Sequence, residues 1–243
     1  MPIFTVANLT AIKKNRFFYA LLGLSLLAGA LVFFNPPDPI TSVPEGKETL
    51  EGIDVSNHQG YIEWERIDQN QVNFVFMKAT AGETFTDKSF RSNWEAAEDA
   101  GFLRGAYHFY REESSGKDQA EHFIDVVPKD AYAMPPVVDV ELLAADGEAF
   151  IKELKVFLTT LEDHYGQKPL IYCNRATYDA YIKDNFQDYG LWYADYNSPP
   201  PIEGWLFWQF TDSGNVEGIE GPVDFNQYSG TREELLALAD FKD

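Results

Sequence analysis

The feature that most constrains the fold is an alternation of short apolar runs with helical patterns, which begins near residue 51. Eight apolar, β-branched or aromatic runs recur, at residues 52–56, 73–80, 103–110, 136–142, 169–174, 191–196, 205–211 and 222–228. Helix-spaced apolar residues occupy the five connections between the first six runs, and the longest of these patterns extends from Phe150 to Tyr165. Strands that alternate with helices indicate parallel β-α units, and eight strands favour a closed barrel.

The last third of the chain departs from an ideal barrel. The connections at residues 197–204, NSPPPIEG, and 212–221 are rich in Pro or Gly and too short for a useful helix. The sequence therefore predicts an α/β fold, an irregular TIM-like (β/α) barrel whose helices are missing in the last third and whose end is loop-connected or partly antiparallel. Residues 231–239 predict a closing helix with Thr231 as N-cap and Glu234 at the capping-box position.

Charge and cysteine content exclude several classes of function. Acidic residues outnumber Lys plus Arg by 39 to 19, so the chain lacks the basic surface that a nucleic-acid partner requires. Cys173 is the only cysteine, which excludes an intramolecular disulfide and a thiolate metal site. The four histidines show no metal-ligand spacing. We expect a monomer without a cofactor or a metal.

The N-terminal region predicts export. Residues 1–16 form a basic, cytoplasmic N-terminus, and residues 17–34 form an uncharged run, FFYALLGLSLLAGALVFF, long enough to nearly cross a bilayer. The alternative is a cleaved signal peptide with Ala28-Gly29-Ala30 as its small-residue site. The apolar run continues past that site, which favours a membrane anchor with the folded domain in the periplasm or outside the cell.

A linker separates this segment from the folded domain. Residues 35–50 contain four prolines and no apolar periodicity, which is typical of a stiff, extended linker. We therefore place the folded domain at residues 51–243.

Acidic residues occur where the predicted strands end. Asp139 and Glu141 are two positions apart, so both carboxylates would face the same way from one strand, and Asp54 and Asp224 lie on two others. Barrels of this type collect their active sites at the carboxyl ends of the strands. The further candidates for this mouth are Tyr107, Tyr110, Tyr172, Asp195, Trp208 and Gln209. A single Asp at a strand end, such as Asp54 or Asp195, is more often a turn or helix cap.

Clustered carboxylates among aromatic rings have two chemical explanations. They could bind a hard cation such as Ca²⁺ or Mg²⁺, but the spacing is unlike an EF-hand and no phosphate-binding loop accompanies it. They also suit a sugar polymer, because aromatic faces stack on pyranose rings and glycosidic cleavage needs one carboxylic acid as proton donor and a second group to stabilise positive charge at C1. The spacing favours sugar hydrolysis over metal binding.

Seven motifs in order carry a family resemblance. They are DVSNHQG at 54–60, FVFMKATAGETFTDKSFRSNW at 74–94, GAYHFY at 105–110, DVE at 139–141, LWYADY at 191–196, FWQF at 207–210 and VDFNQY at 223–228. Together they resemble the glycoside hydrolase family 25 muramidases, the Chalaropsis-type lysozymes. The resemblance implies an irregular β/α barrel that hydrolyses the β-1,4 bond between N-acetylmuramic acid and N-acetylglucosamine in peptidoglycan.

The resemblance also implies roles for the acids. By position, Glu141 resembles the general acid that then acts as base. Asp139 resembles the second carboxylate of the pair, either a nucleophile or the group that orients the substrate's 2-acetamido group. Asp54 and Asp224 match the remaining active-site acids, and the aromatic residues would line the glycan groove.

The acid pair also carries a physical expectation. Repulsion from Asp139 and partial burial would keep Glu141 protonated near neutral pH, while Asp139 stays charged. Two rival functions remain at this point. One is a non-catalytic glycan-binding envelope protein on the same barrel, and the other is a metal-dependent polysaccharide deacetylase.

Overall fold

The computed structural model describes residues 49–129 and 133–239. The predicted basic N-terminus, the apolar run 17–34 and nearly all of the linker lie outside the described residues. Within the described ranges, no helix is long and apolar enough to cross a membrane.

Eight strands form a closed, mixed barrel, which confirms the predicted α/β barrel. They are β1 (Leu50–Val55), β2 (Phe74–Ala81), β4 (Leu103–Phe109), β5 (Val137–Val140), β6 (Leu170–Asn174), β7 (Gly190–Ala194), β8 (Trp205–Gly214) and β9 (Val223–Tyr228). The two-residue strand β3 (Phe85–Thr86) only adds a hairpin to β2. Neighbouring strands pair in parallel from β1 through β8 in the order β1, β2, β4, β5, β6, β7, β8. The last strand, β9, is antiparallel to both β8 and β1 and closes the barrel.

The helices match the sequence prediction in the middle of the chain and differ from it at the first connection. Helices α1 (Phe90–Asp99), α2 (Gly116–Val126) and α3 (Gly147–Tyr165) form as expected. The fifth connection forms α4, which is helical from Arg175 to Asn185 in three contiguous segments, with a π turn at Tyr178–Ile182. Helix α5 (Arg232–Leu238) has the predicted capping box of Thr231 and Glu234.

The first connection, residues 56–73, was wrongly predicted to be helical. It contains only two 3₁₀ turns, Asn57–Gln59 and Trp64–Arg66. Its backbone is instead held by the loop before β9, through a bridge of Ile62 with Ile219 and a hydrogen bond from the amide of Glu63 to the carbonyl of Gly218. Amides that bond to another segment cannot also close a helical turn.

The barrel interior has an apolar lower layer. Phe74 and Phe76 from β2 meet Phe207 from β8 at ring-centroid distances of 5.1 Å and 5.2 Å, and Trp192 from β7 stacks on Phe76 at 4.6 Å. Leu235 and Ala239 from α5 belong to the same buried cluster, so the closing helix covers the end of the barrel opposite the carboxyl ends of the parallel strands. The opposite end remains for polar groups.

Glycines on the interior faces of β1 and β4 make room for these rings. A Cβ on Gly105 would lie 2.6 Å from the ring of Phe76 and 3.2 Å from Cβ of Met134. A Cβ on Gly52 would lie 2.4 Å from both the ring and the carbonyl oxygen of Phe74. These positions therefore accept only glycine while the aromatic layer keeps its place.

This packing predicts that Gly105→Ala destabilises the protein. The added methyl group would force Phe76 away from Trp192, and overpacking of this kind costs about 1–3 kcal/mol. Urea unfolding of the full chain, followed by tryptophan fluorescence, measures the change. Gly147→Ala is the matched control, because its Cβ would meet only the ring edge of Tyr181 at 3.1 Å at the start of α3. Equal stability of the two variants would contradict this account of the barrel interior.

Candidate active site

Polar side chains fill the upper layer of the barrel interior, at the carboxyl ends of the parallel strands. The alternation of strand residues places them directly above the aromatic layer. Asp54 continues the interior face of β1, Lys78 that of β2, and Asp139 that of β5. The whole set is Asp54, Lys78, Tyr107, Asp139, Tyr172, Gln209, Asp224 and Asn226. Most of the sequence-predicted site residues are therefore brought together at one mouth.

Asp54 is a buried carboxylate held by two amides. It is 6% exposed, and its Oδ2 accepts hydrogen bonds from Nε2 of Gln209 at 2.8 Å and Nδ2 of Asn226 at 2.9 Å. Asn226 in turn accepts a hydrogen bond from Nε1 of Trp192 at 2.8 Å. The acid is thus fixed to the aromatic layer by a chain of two hydrogen bonds.

Asp224 lies directly opposite Asp54 in the antiparallel pair of β1 and β9. The sequence placed Asp224 at the carboxyl end of the last strand, and this detail was wrong. Because β9 runs against the other strands, the start of β9 reaches the mouth, and Asp224 is its second residue. Burial, followed by the charge of Asp224, raises the pKa of Asp54 well above its usual range, and burial also raises the pKa of Asp224. The two carboxyl groups share a hydrogen bond, so the pair retains a proton to higher pH than two separate aspartates would.

Asp139 is buried and Glu141 is exposed, whereas the sequence predicted partial burial of Glu141. Strand β5 ends at Val140, so Glu141 lies beyond the strand and its side chain is exposed. Asp139 is 8% exposed, and its Oδ1 is buried without a hydrogen-bond partner in the described part of the chain. Burial first, and the charge of Glu141 second, raise the pKa of Asp139 well above its usual range. The expected partial burial of Glu141 was therefore wrong, because the desolvated member of the pair is Asp139.

Gln209 and two tyrosines connect Asp54 to Glu141. Oε1 of Gln209 accepts hydrogen bonds from the hydroxyl groups of Tyr172 and Tyr196, each at 2.9 Å. The hydroxyl of Tyr172 also contacts Oε1 of Glu141 at 3.5 Å. The amide of Gln209 thus uses its nitrogen on one acid and its oxygen on the tyrosines that border the other.

Three predicted substrate-binding residues do not face the barrel interior. The ring of Tyr110 is buried under α3, with centroids 5.5 Å from Phe150 and 5.7 Å from Phe157. Asp195 caps a turn, because its Oδ1 accepts hydrogen bonds from the amides of Asn197 and Ser198. The third residue is Trp208.

Trp208 lies on the outer side of β8. Its ring packs beside Trp205 and Phe210, and its Nε1 donates to the carbonyl of Asp195 at 2.8 Å. Gln209, its neighbour in sequence, faces the interior, and successive residues of a strand face opposite sides. The structure therefore brings Tyr107, Tyr172 and Gln209 to the site.

Sequence reasoning missed Lys78 and Tyr196. Lys78 is half-buried and shares the interior face of β2 with Phe74 and Phe76, so the alternation in FVFMKATA was the available signal. Tyr196 follows β7 and is 50% exposed, and its hydroxyl group reaches Gln209. No pattern in the sequence distinguishes it from neighbouring aromatic residues.

The arrangement offers acid and base groups rather than a metal-ligand cluster. Across residues 49–129 and 133–239, no group of three or more His, Cys, Asp or Glu side chains is arranged to hold a metal ion. Two carboxyl groups with raised pKa values, Asp54 and Asp139, lie beside an exposed one, Glu141. Such a set can donate a proton at one point and keep a negative charge at another.

Comparisons with known proteins agree on one family. The model of glycosyl hydrolases family 25 matches residues 53–219. The protein YegX of Escherichia coli K12, described as uncharacterized, is 39% identical over 204 residues, which cover 79% of this chain and 74% of YegX. Lysozyme M1 of Streptomyces globisporus is 31% identical over 226 residues, covering 84% of this chain and 76% of that lysozyme.

Solved structures agree with these matches. A family 25 glycosyl hydrolase from Bacillus anthracis superposes with a TM-score of 0.74 at 38% identity, covering 78% of this chain and 93% of its own. A GH25 lysozyme from Aspergillus fumigatus superposes with a TM-score of 0.71 at 28% identity, covering 79% of this chain and 100% of its own.

The buried Asp54–Asp224 pair predicts that Asp54→Asn raises the melting temperature at pH 7. An acid whose pKa is raised by folding destabilises the fold at pH values above its usual pKa of 3.8, because the unfolded chain releases a proton that the folded state retains more strongly, and this cost grows as pH rises. The side-chain amide of the variant keeps an oxygen that accepts hydrogen bonds from Gln209 and Asn226, and its nitrogen can donate to Asp224. We expect an increase of roughly 2–4 °C, the shift that about 1 kcal/mol produces in a domain of this size.

The increase should disappear as pH falls towards 4 and below, because the unfolded chain then retains the proton on Asp54 as well. Calorimetry of the full chain at several pH values measures it. Asp87→Asn is the control, since Asp87 is also buried but accepts hydrogen bonds from the amide of Ser89 and from two nitrogens of Asn57. That variant should melt at a lower temperature. A lower melting temperature for Asp54→Asn at pH 7 would contradict the analysis of the pair.

Proposed function

This chain belongs to glycosyl hydrolase family 25 and is a peptidoglycan hydrolase of the muramidase type, and we propose that Glu141 is its general acid and Asp139 its charged partner. The reaction cleaves the β-1,4 bond between N-acetylmuramic acid and N-acetylglucosamine. The observation that carries the proposal is the convergence of Asp54, Asp139, Glu141 and Asp224 on one mouth of the barrel.

The position of Glu141 supports its role as proton donor. The side chain lies just beyond β5 and is exposed, so a glycosidic oxygen in the groove can reach it. The hydroxyl of Tyr172 uses its single proton in the shorter bond to Gln209. The same hydroxyl lies 3.5 Å from Oε1 of Glu141, which places this carboxyl beside the hydrogen bonds that fix Gln209 and Asp54.

The chemical steps follow from this assignment. Glu141 gives its proton to the leaving oxygen as the bond between C1 and that oxygen breaks, and positive charge develops at C1. Glu141, now a carboxylate, takes a proton from the water that adds to C1. The charge at C1 is stabilised by Asp139, which would act as a nucleophile or orient the substrate's 2-acetamido group. Both roles require a free carboxylate oxygen, and Oδ1 of Asp139 has no hydrogen-bond partner among the described residues.

The remaining groups would position the substrate and the acids. We propose that Tyr172, Tyr107 and Tyr196 border the glycan and that Gln209 and Asn226 fix Asp54. The Asp54–Asp224 pair, which holds a proton, would donate a hydrogen bond to the sugar that occupies the mouth. Tyr110, Asp195 and Trp208 would act indirectly, through the packing of the strands that carry these groups.

The general-acid assignment predicts that Glu141→Gln folds normally and loses nearly all cleavage of peptidoglycan. Loss of a general acid lowers kcat by roughly 10²–10⁴-fold. New reducing ends released from purified peptidoglycan measure the rate, and thermal melting checks the fold. Glu233→Gln is the matched control, because Glu233 is exposed on α5 at the closed end of the barrel.

A wild-type rate for Glu141→Gln would make the acid assignment wrong. Binding of glycan by the wild-type chain without new reducing ends would instead indicate a non-catalytic binding protein.

We propose that the enzyme is exported and held at a membrane by residues 17–34. Support comes from the sequence alone, as an uncharged run of 18 residues that follows Lys13, Lys14 and Arg16. The proline-rich segment 35–50 would then separate the barrel from the bilayer surface. Such a tether would keep the hydrolase close to the cell wall next to its own membrane.

The anchor predicts that the full chain sediments with membranes and keeps residues 1–34. Anchored protein should resist extraction by alkaline carbonate and be released by detergent. The intact mass of the protein purified from the membrane fraction reports its N-terminus. A mature protein that begins just after Ala30 would establish a cleaved signal peptide instead.

A further inference from the structure

Lys78 is a cation at the mouth that none of the steps above uses. Its side chain rises from the interior face of β2, and its Nζ lies 4.5 Å from the ring centroid of Phe109 and 6.0 Å from that of Tyr107. In the parallel registers, Lys78 pairs with Tyr107, and Phe109 pairs with Asp139. The ammonium group therefore lies over the strand that separates β2 from Asp139.

The two buried aspartates of the mouth are stabilised differently. Asp54 has two amide donors, Gln209 and Asn226, whereas Oδ1 of Asp139 has no donor among the described residues. A carboxylate removed from water without hydrogen bonds takes up a proton unless a positive charge is near. Asp139 therefore depends on a cation more than Asp54 does.

Acidic groups outnumber basic ones around Asp139. The titratable groups that face it are Asp54 from β1, Lys78 from β2, Tyr107 from β4, Glu141 after β5 and Tyr172 from β6, while Cys173 interacts with it from the outer side of β6. Lys78 is the only cation acting on it in the described part of the chain. Its charge lowers the pKa of Asp139 against burial and against the charges of Glu141 and Asp54.

Asp139 in turn affects the pKa of Lys78. Burial lowers the pKa of Lys78, and the charges of Asp139, Asp87 and Glu141 raise it, while Arg111 lowers it. Lys78 also lowers the pKa of His108, which is neutral and buried on the outer side of β4. Lysine and carboxylate therefore each favour the ionised form of the other.

Lys78 offsets the negative charge of Asp139 without forming an ion pair with its carboxylate. In the part of the chain that the structure describes, Lys78 forms no ion pair within 4.0 Å, and the faces of Phe109 and Tyr107 hold its ammonium group instead. Oδ1 of Asp139 is buried and has no hydrogen-bond partner among the described residues. A direct ion pair would have occupied the oxygen that the reaction needs.

We propose that Lys78 is a positioning residue whose ammonium group, held on Phe109 and Tyr107, opposes the protonation of the buried Asp139 so that a negative charge faces C1 as the glycosidic bond breaks. This inference rests on the proposed roles of Asp139 and Glu141. It adds a fifth charged group to the four acids of the mouth and gives the aromatic pair Tyr107 and Phe109 a role in holding it.

The first test compares pH-rate profiles of the full chain with Lys78→Met and Lys78→Arg. Removing the charge raises the pKa of Asp139, and ionised Asp139 is needed, so the acidic limb of kcat for Lys78→Met should move to higher pH. We expect a movement of about one pH unit or more, the lower end of the effect of a nearby charge. Lys78→Arg keeps the charge and should return the limb close to that of the wild type.

Two results of this test would overturn the inference. One is an equal loss of rate at every pH, which a structural role alone predicts. The other is a change confined to KM, which would assign Lys78 to substrate binding, for example to a carboxylate of the peptidoglycan stem.

The second test does not depend on activity or on the folding of a Lys78 variant. In Asp139→Asn, loss of the negative charge should lower the pKa of Lys78, which ¹³Cε labelling of lysine reports by NMR. Coupling between two sites is mutual, so we expect a shift of about one unit, similar to that of the acidic limb. An unchanged titration of Lys78 would mean that Asp139 is not ionised in the wild type and would overturn the inference.

The two tests separate this inference from the proposed function. If the wild-type chain cleaves peptidoglycan and the pH-rate profile of Lys78→Met is the same as that of the wild type, only the proposed role of Lys78 is wrong. If the wild-type chain releases no reducing ends, the proposed function is wrong. The lysine titration still measures the coupling between Lys78 and Asp139.

Discussion

The stacking of Trp192 on Phe76 is the contact on which the site depends. These rings form the upper surface of the apolar layer, and the indole nitrogen of Trp192 holds Asn226, which holds Asp54. The aromatic floor thus determines both the depth of the mouth and the orientation of its most buried acid. Because interior glycines on neighbouring strands admit the rings, the floor and the acids are parts of one packing arrangement.

Above this floor the barrel gathers negative charge where water is scarce, and each acid is accommodated differently. Asp54 receives two amide hydrogen bonds and shares a proton with Asp224. Asp139 has a distant cation, Lys78, and a free oxygen. Glu141 extends into solvent. These environments differ in hydration, hydrogen bonding and nearby charge, which are the factors that separate the proton affinities of like groups. One mouth can therefore contain carboxyl groups of different proton affinity at the same pH.

Much of the fold could be predicted from the sequence, because a two-residue period and a helical period are local signals. The same rule of alternation could have excluded Tyr110 and Trp208, since Tyr107 and Gln209 occupy the interior face of the same strands, and it could have found Lys78 above Phe74 and Phe76. An antiparallel β9 was one of the two predicted forms of the barrel end, and the short loop before it favours that form because parallel strands need a longer crossover. The end of β5 at Val140, which decides that Asp139 is buried and Glu141 exposed, was not predictable from alternation.

The irregular end of the barrel has a chemical consequence. A ninth strand in parallel orientation would present its carboxyl end at the mouth, where Tyr228 would stand, and Asp224 would lie deeper. Antiparallel pairing instead sets Asp224 directly across from Asp54, where opposed side chains have Cβ atoms about 4.5–5.5 Å apart. Two carboxylates at that separation cannot both ionise cheaply, so the pair retains a proton. The departure from the ideal fold therefore creates a proton-holding group that a regular barrel with the same residues would lack.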